Sequence, residues 1–140
     1  MSAFPAIVDT NVVASGLLTA EPKAPTALIL DGMLRGRFVF LLSIDLLAEY
    51  RSVLLRPRIR KRHRLAETEV DAVLTEIVAN GQVREVAGGL LDRGDGDEYL
   101  RALLEDRPDC VLVTGDEALR RGLPAARSLS PRDFVRRLIE

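Results

Sequence analysis

Short apolar runs alternate along this chain with longer amphipathic segments, and this alternation most limits how the chain can fold. Residues 6–9 form an apolar run that ends in Asp9, and residues 38–42 and 110–113 are apolar throughout. Continuous runs of this length are typical of parallel strands that helices cover on both faces. Shorter strands are predicted at 82–86 and 125–129.

The segments between these runs predict helices, each with an apolar stripe. A helix over 24–35 is expected to bury Leu28 and Leu30. The other helices are predicted to begin at Ser43, at a capping box formed by Thr68 and Asp71, at residue 95, and at Ser130-Pro131. Gly36 and Gly81 are predicted helix ends.

Strands that alternate with helices indicate an α/β domain with a parallel sheet and helices on both faces. The 140 residues have the length of one domain and show no internal repeat or linker. The glycine-rich residues 88–96 are predicted to form a loop within it. We therefore expect one domain over residues 1–140.

Composition excludes several classes of function. One Cys and one His rule out a disulfide framework, a cysteine zinc site and a multi-histidine metal site. Aromatic residues are only 4%, which disfavours modules that stack bases on exposed rings. The net charge is −1, and no signal peptide or membrane-spanning stretch is apparent. A cytoplasmic protein without membrane contact is expected.

Four carboxylates occupy positions that predict a common site. Asp9 and Asp116 follow predicted strands, and ligands of parallel sheets bind beyond the carboxyl ends of the strands. Glu49 and Asp97 lie at the margins of apolar helical stripes. Carboxylates at core margins are costly unless a cation neutralises them. An all-oxygen set of this kind predicts Mg²⁺ or Mn²⁺.

Each carboxylate also has a purely structural interpretation. Asp9 and Asp116 would both serve as helix N-caps. Glu49 would be an ordinary exposed helix residue, and Asp97 a first-turn acid favoured by the helix dipole. The site hypothesis depends on all four positions together, because strand ends and stripe margins are independent signals.

Four segments, in order, resemble the motifs of PIN-domain nucleases. They are Ile7–Val12, Leu46–Arg51, Asp95–Leu100 and Val113–Asp116. The chain is most similar to the VapC-like toxins of toxin–antitoxin pairs, whose ending the segment Ser130–Phe134 also resembles. The resemblance covers essentially the whole chain and implies a three-layer α/β/α sandwich around a mostly parallel sheet.

The resemblance also implies a function, a metal-dependent endoribonuclease that acts as a toxin. It places the catalytic and metal-binding roles on Asp9, Glu49, Asp97 and Asp116. It implies supporting polar roles for Asn11 and Thr114, and Asp95 is an alternative ligand or an additional acid. RNA, a cognate antitoxin and a second copy of the chain are the expected partners. The alternative is an inactive PIN-like module that binds RNA or protein.

A basic run follows the Glu49 motif. Residues 51–64, RSVLLRPRIRKRHR, contain seven basic residues and no acid. They are a candidate contact for an RNA backbone, and the alternatives are a solvated surface or an interface to an acidic partner. The basic residues are Arg51, Arg56, Arg58, Arg60, Lys61, Arg62 and Arg64. His63 is expected to be solvated, and Cys110 to pack in the core.

Overall fold

The computed structural model describes residues 5–86 and 98–139. Within these ranges the chain forms five short strands and eight α-helices. The strands are β1 (Ala6–Val8), β2 (Leu41–Leu42), β3 (Gln82–Val83), β4 (Val111–Val113) and β5 (Ser128–Leu129). The helices are α1 (Thr10–Leu18), α2 (Pro25–Leu34), α3 (Ile44–Leu54), α4 (Pro57–His63), α5 (Glu67–Asn80), α6 (Glu98–Asp106), α7 (Glu117–Arg121) and α8 (Pro131–Ile139).

The five strands are parallel and follow the spatial order β3–β2–β1–β4–β5. Strand β4 pairs with β1 and β5, and β2 pairs with β3. The two groups meet because Ala6 N–H donates to the Val39 carbonyl at 2.9 Å, whereas the Phe40 carbonyl accepts from Gln82 N–H at 2.9 Å. Successive carbonyls of an extended chain point to opposite sides. Strand β2 therefore lies between β1 and β3.

Strand β1 is covered on both faces of the sheet. Its three residues, Ala6, Ile7 and Val8, are all 0% exposed. Consecutive side chains of a strand point to opposite faces, so helices must cover both sides. Helix α2 packs against α1, α5 and α8, and α3 packs against α1, α5 and α6. The predicted three-layer α/β/α sandwich is confirmed.

Several helix ends are where local sequence predicts them. The Ser43 Oγ accepts a hydrogen bond from Leu46 N–H at 3.1 Å and starts α3. Ser130 Oγ accepts from Asp133 N–H at 3.2 Å, in the first turn of α8. Helix α5 ends before Gly81, where a Cβ atom would lie 2.5 Å from the Phe40 ring. Glycine is therefore required for the chain to pass this ring.

The predicted capping box at Thr68 and Asp71 is wrong. Helix α5 begins at Glu67, and Glu69 Oε1 accepts from the Ala66 N–H at 2.9 Å. Asp71 instead pairs with Arg51, with 2.8 Å between nitrogen and oxygen. The acid that accepts from the backbone at the start of α5 is therefore Glu69, two residues before the predicted Asp71.

Three predicted strands are shorter than expected. Within 125–129, only Ser128–Leu129 is strand, because Ala125–Arg127 form a turn of 3-10 helix. Within 38–42, regular pairing is confined to Leu41–Leu42 and a single bridge at Phe40, and Val39 is 42% exposed. Within 82–86, only Gln82–Val83 is strand, at the edge of the sheet. Neither of the latter two runs is therefore covered on both faces along its whole length.

Two helix predictions also need correction. The helix predicted over 24–35 is α2, but Leu28 is 37% exposed while Ile29 and Met33 are fully buried. Its buried face is therefore rotated from the predicted one. Helix α6 corresponds to the helix predicted from residue 95. Residues 95–97 and the predicted loop at 88–96 lie outside the described residues.

The order of the strands creates one preferred place for a ligand. Strand β2 lies next to one edge of β1, and β4, which comes later in the chain, pairs with the opposite edge of β1. Connections that diverge in this way leave a crevice at the carboxyl ends of the two strands. Among the described helices, none has the length and apolar character needed to cross a membrane.

Candidate active site

Asp9 and Thr114 are neighbours in this crevice because β1 and β4 end together. Val8 pairs with Val113, and the Asp9 N–H donates to the Val113 carbonyl at 3.0 Å. Asp9 and Thr114, the residues that directly follow these two strands, therefore lie side by side in the crevice. The predicted convergence of the two strand ends is found in the structure.

Asp9 occupies the N-cap position of α1, but its side chain does not cap the helix. Its Oδ2 instead accepts a hydrogen bond from the Thr114 hydroxyl at 2.7 Å. The residue is 7% exposed. Burial raises the pKa of the Asp9 carboxyl, and the nearby Asp116 and Glu49 carboxylates raise it further, against the hydrogen bonds that Thr114 and the Thr10 backbone contribute.

Asp116 has a structural role that Asp9 lacks. Its Oδ1 accepts from the Leu119 N–H at 3.1 Å and caps α7. Its own N–H donates to the Thr114 hydroxyl at 3.0 Å. Thr114 is fully buried, so this one hydroxyl accepts from Asp116 and donates to Asp9. The supporting role predicted for Thr114 has a geometric basis.

Glu49 reaches the same crevice from α3. It is partly buried, as its place at the margin of the apolar stripe predicts. The next residue, Tyr50, is fully buried and donates its hydroxyl to the Val8 carbonyl at 2.6 Å. This bond ties α3 to the end of β1, beside Asp9, and burial raises the pKa of the Tyr50 hydroxyl.

Tyr99 and Thr10 complete the described part of the site. The Tyr99 hydroxyl on α6 interacts with the Glu49 carboxylate, and burial together with Glu49 raises the pKa of Tyr99. The Tyr99 side chain also lies close to Thr10. Thr10 Oγ1 is nonetheless buried without a partner of hydrogen-bond geometry in the described part of the chain. Tyr50, Tyr99 and Thr10 are not predicted from sequence, although each is adjacent to, or two residues from, a predicted acid.

The structure does not tie the predicted supporting residue Asn11 to the crevice. Asn11 is exposed, and its side chain makes no hydrogen bond within the described ranges. Asp95 and Asp97 lie outside those ranges. The choice between them as ligand stays a prediction.

The predicted basic segment has a mixed character. Arg51 is held by two acids, with 2.8 Å to Glu67 and 2.8 Å to Asp71. The segment continues as the exposed helix α4, which packs against α1 and α3. The remaining basic residues of this segment are Arg56, Arg58, Arg60, Lys61, Arg62 and Arg64.

His63 is partly buried, so the prediction of a solvated histidine is wrong. Its Nε2 lies 2.8 Å from the Leu54 carbonyl, and its Nδ1 accepts from Leu65 N–H at 2.9 Å. This ring joins the end of α3 to the turn after α4. Cys110 is buried as predicted, and burial raises the pKa of its thiol.

The chemistry of the crevice fits a hard divalent cation. Its potential ligands are all oxygens, and the charged groups that act on Asp9 are carboxylates. The buried Thr10 hydroxyl, close to Tyr99, is a further oxygen beside them. Among residues 5–86 and 98–139, no three acidic, histidine or cysteine side chains converge closely enough to hold a metal ion by themselves. At most part of a ligand set for such a cation therefore lies among the described residues.

The chain is thus an α/β sandwich with a buried aspartate, Asp9, in the crevice at the carboxyl ends of β1 and β4. Residues 5–118 match the family described as the PIN domain, and the chain belongs to that family. The PIN domain is a nuclease fold family, so the resemblance of the four motifs is confirmed at this level. Comparisons with curated proteins and with solved structures gave no significant match.

Proposed function

We propose that this chain is a metal-dependent endoribonuclease whose catalytic carboxylates are Asp9, Glu49, Asp97 and Asp116. The observation that carries the proposal is the state of Asp9. Its carboxylate is buried and caps no helix, and the charged groups that act on it in the described part of the chain are two further carboxylates. A folded chain has no structural reason to bury a carboxylate in this way, and membership of a nuclease fold family supplies a functional one.

Each residue has a distinct role in this proposal. Asp9 and Asp97 hold the metal, and Thr114 fixes the orientation of Asp9 through its hydroxyl. Glu49, held by Tyr99, orients the attacking water, and Asp116 serves a second metal position. Bound Mg²⁺ or Mn²⁺ would acidify water and neutralise charge on the phosphoryl oxygens. Asp95 replaces Asp97 if the neighbouring acid is the ligand.

The biological part of the proposal is a toxin role. Its support is the similarity of the four motifs and of Ser130–Phe134 to VapC-like toxins. On this proposal RNA is the substrate, a cognate antitoxin covers the site, and the chain acts as a cytoplasmic homodimer. Induced expression should arrest growth with the wild-type chain and not with Asp9→Asn.

Cleavage of a mixed RNA pool by the purified protein tests the activity. We expect cutting in Mg²⁺ or Mn²⁺, none in EDTA, and a loss of about 10³-fold or more in Asp9→Asn, because a metal ligand is lost while the shape of the side chain is kept. The measurement is the initial rate of product formation on denaturing gels.

Asp31→Asn is the matched control. This variant makes the same Asp-to-Asn change on α2, at a residue that pairs with Arg35 at 2.9 Å. It should cleave like the wild type. Cutting that survives both EDTA and Asp9→Asn would contradict the metal mechanism. A folded wild-type protein that cuts nothing in either metal would favour the inactive binding module.

A further inference from the structure

A groove of about 550 Å³ lies at the same rim of the sheet as the acids, on the β5 side. Ser130, which lines it, directly follows β5, the strand next to β4. Arg120, which also lines it, is four residues after Asp116 on α7. Four helical residues span about 6 Å along the axis, so the groove begins one turn from the acidic crevice.

The groove is rich in positive charge. Arg120, Arg132 and Arg136 line it, and Asp133 is the only acid among the lining residues that the structure describes. Asp133 lies 3.8 Å from Arg136, which is the long distance of a weak ion pair, and both side chains are mostly exposed. The lining thus has three guanidinium groups for one carboxylate.

Two of these arginines lack acidic partners in the described part of the chain. Arg120 Nε is buried and has no hydrogen-bond partner there. Arg132 is exposed and forms no ion pair with the described residues. A buried guanidinium N–H without an acceptor is costly, and an anion in the groove would supply that acceptor.

We propose that this arginine groove binds a backbone phosphate of the RNA strand, a few nucleotides from the bond cut at Asp9. Guanidinium groups bind phosphate oxygens through paired N–H donors. A strand whose scissile phosphate lies at the acids must leave along the rim, and the groove begins one turn from Asp116. The inference rests on the proposed ribonuclease function, and it locates a substrate contact away from the basic segment 51–64.

RNA binding measured without cleavage tests the proposal. The parent is Asp9→Asn, and the probe is a fluorescein-labelled single-stranded RNA of 20 mixed nucleotides, followed by anisotropy in Mg²⁺ over a series of salt concentrations. The variant Arg132→Gln/Arg136→Gln in this parent changes two exposed residues of α8. We expect about a tenfold loss of affinity at low salt. The slope of log K against log salt should fall by about 0.7, the value for one phosphate on a single strand.

Arg35→Gln/Arg37→Gln is the charge-matched control. It removes the same two charges at the other end of α2, about 15 Å along the helix from the groove. Its affinity and salt slope should stay close to those of the parent. Arg132→Lys/Arg136→Lys should retain the salt slope and recover only part of the affinity, because lysine neutralises a phosphate without the paired donors. Thermal unfolding of each variant confirms that it is folded.

The failures of the two proposals are distinguishable. If the glutamine groove variant binds RNA with the affinity and slope of its parent, the groove inference is overturned while cleavage by the wild type stands. An acidic protein segment would then be the better occupant. If the wild type cleaves nothing but the groove variant alone loses RNA binding, the inference holds and the nuclease function fails. A parent that binds no RNA overturns the inference.

Discussion

The ends of β1 and β4 lie side by side, yet they use their aspartates differently. Each apolar strand is followed by an acid at the N-cap position of a helix, Asp9 before α1 and Asp116 before α7. Asp116 is exposed and caps its helix through Leu119 N–H. Asp9 is 7% exposed and leaves its helix uncapped. The same sequence pattern thus produces one exposed acid that caps its helix and one buried acid that does not.

The difference lies in what each carboxylate contributes to folding. An N-cap stabilises a helix by about 1 kcal/mol, so Asp116 contributes to the stability of α7. Asp9 takes no such role, and burial and neighbouring acids raise its pKa. A carboxyl with a raised pKa in the folded protein destabilises the fold when it is ionised. We therefore expect the end of β4 to contribute mainly to stability, and the end of β1 mainly to the proposed function.

Asp9→Asn should sharpen this comparison most, because it should cost activity but not stability. In EDTA, the Asn variant should be at least as stable as the wild type at pH 7. Since the pKa of Asp9 is raised on folding, the wild type binds more protons folded than unfolded between the two pKa values, and its stability falls relative to the variant as pH rises through the folded value. Denaturant unfolding from pH 4 to 8 measures this difference.

Metal should reverse the effect for the wild type alone. A cation that binds the folded protein stabilises it by mass action, so millimolar Mg²⁺ or Mn²⁺ should raise the melting temperature of the wild type and not of Asp9→Asn. If Asp9→Asn is instead clearly less stable than the wild type in EDTA, Asp9 has a structural role and the comparison of the two strand ends fails.

Thr114→Val should have the next largest effect, because Thr114 connects the two strand ends. Valine has nearly the same shape, but it removes the donor to Asp9 and the acceptor for the Asp116 N–H. We expect about a 10–100-fold loss of metal affinity or activity. Stability should fall by about 1–3 kcal/mol in chemical denaturation, because buried polar groups lose partners.

Thr114→Ser is the matched variant, since it keeps the hydroxyl. It should retain most of the activity and lose only the stability that one buried methyl contributes, about 1 kcal/mol. Equal losses in the valine and serine variants would show that packing, rather than the hydroxyl, sets the orientation of Asp9.

The strand ends and helix starts of this site are predictable from sequence because their signals are local. An apolar run followed by Asp9 or by Thr114 predicts a strand end without knowledge of which strands pair with it. The stripe of α3 similarly predicts that Glu49 lies at the edge of the core. Sequence does not predict that Asp9 leaves its helix uncapped, because its partner, the Thr114 hydroxyl, lies on another strand. That contact becomes visible only once β1 and β4 are paired.

The remaining contacts depend on elements far apart in the chain. Tyr50 binds the Val8 carbonyl across 42 positions, and no periodicity indicates that bond. The charge run at 51–64 is conspicuous in sequence, yet Arg51 within it is held by acids. Arg120 and Arg132 are separated in sequence and share a groove only because β5 places α8 beside α7. Charge density along a chain and charge available to a ligand are therefore different quantities.

Two substitutions of Asp116 test the other half of the comparison. Asp116→Asn keeps an N-cap of similar strength and removes the charge, so stability should change little. Asp116→Ala removes both, and it should cost about 1 kcal/mol more in denaturant unfolding. Both should reduce cleavage to a similar extent, because both remove the carboxylate proposed for the second metal position. The loss should be smaller than in Asp9→Asn, because Asp9 is proposed as a principal ligand.

The two readouts separate the capping role of Asp116 from its role in the site. If Asp116→Asn cleaves like the wild type while Asp116→Ala loses activity together with stability, the residue serves only the helix. In that case the charge that raises the pKa of Asp9 has no catalytic use, and the described ligand set reduces to Asp9 and Glu49. If both variants lose activity and only Ala loses stability, one carboxylate serves the helix through Oδ1 and the site through its charge.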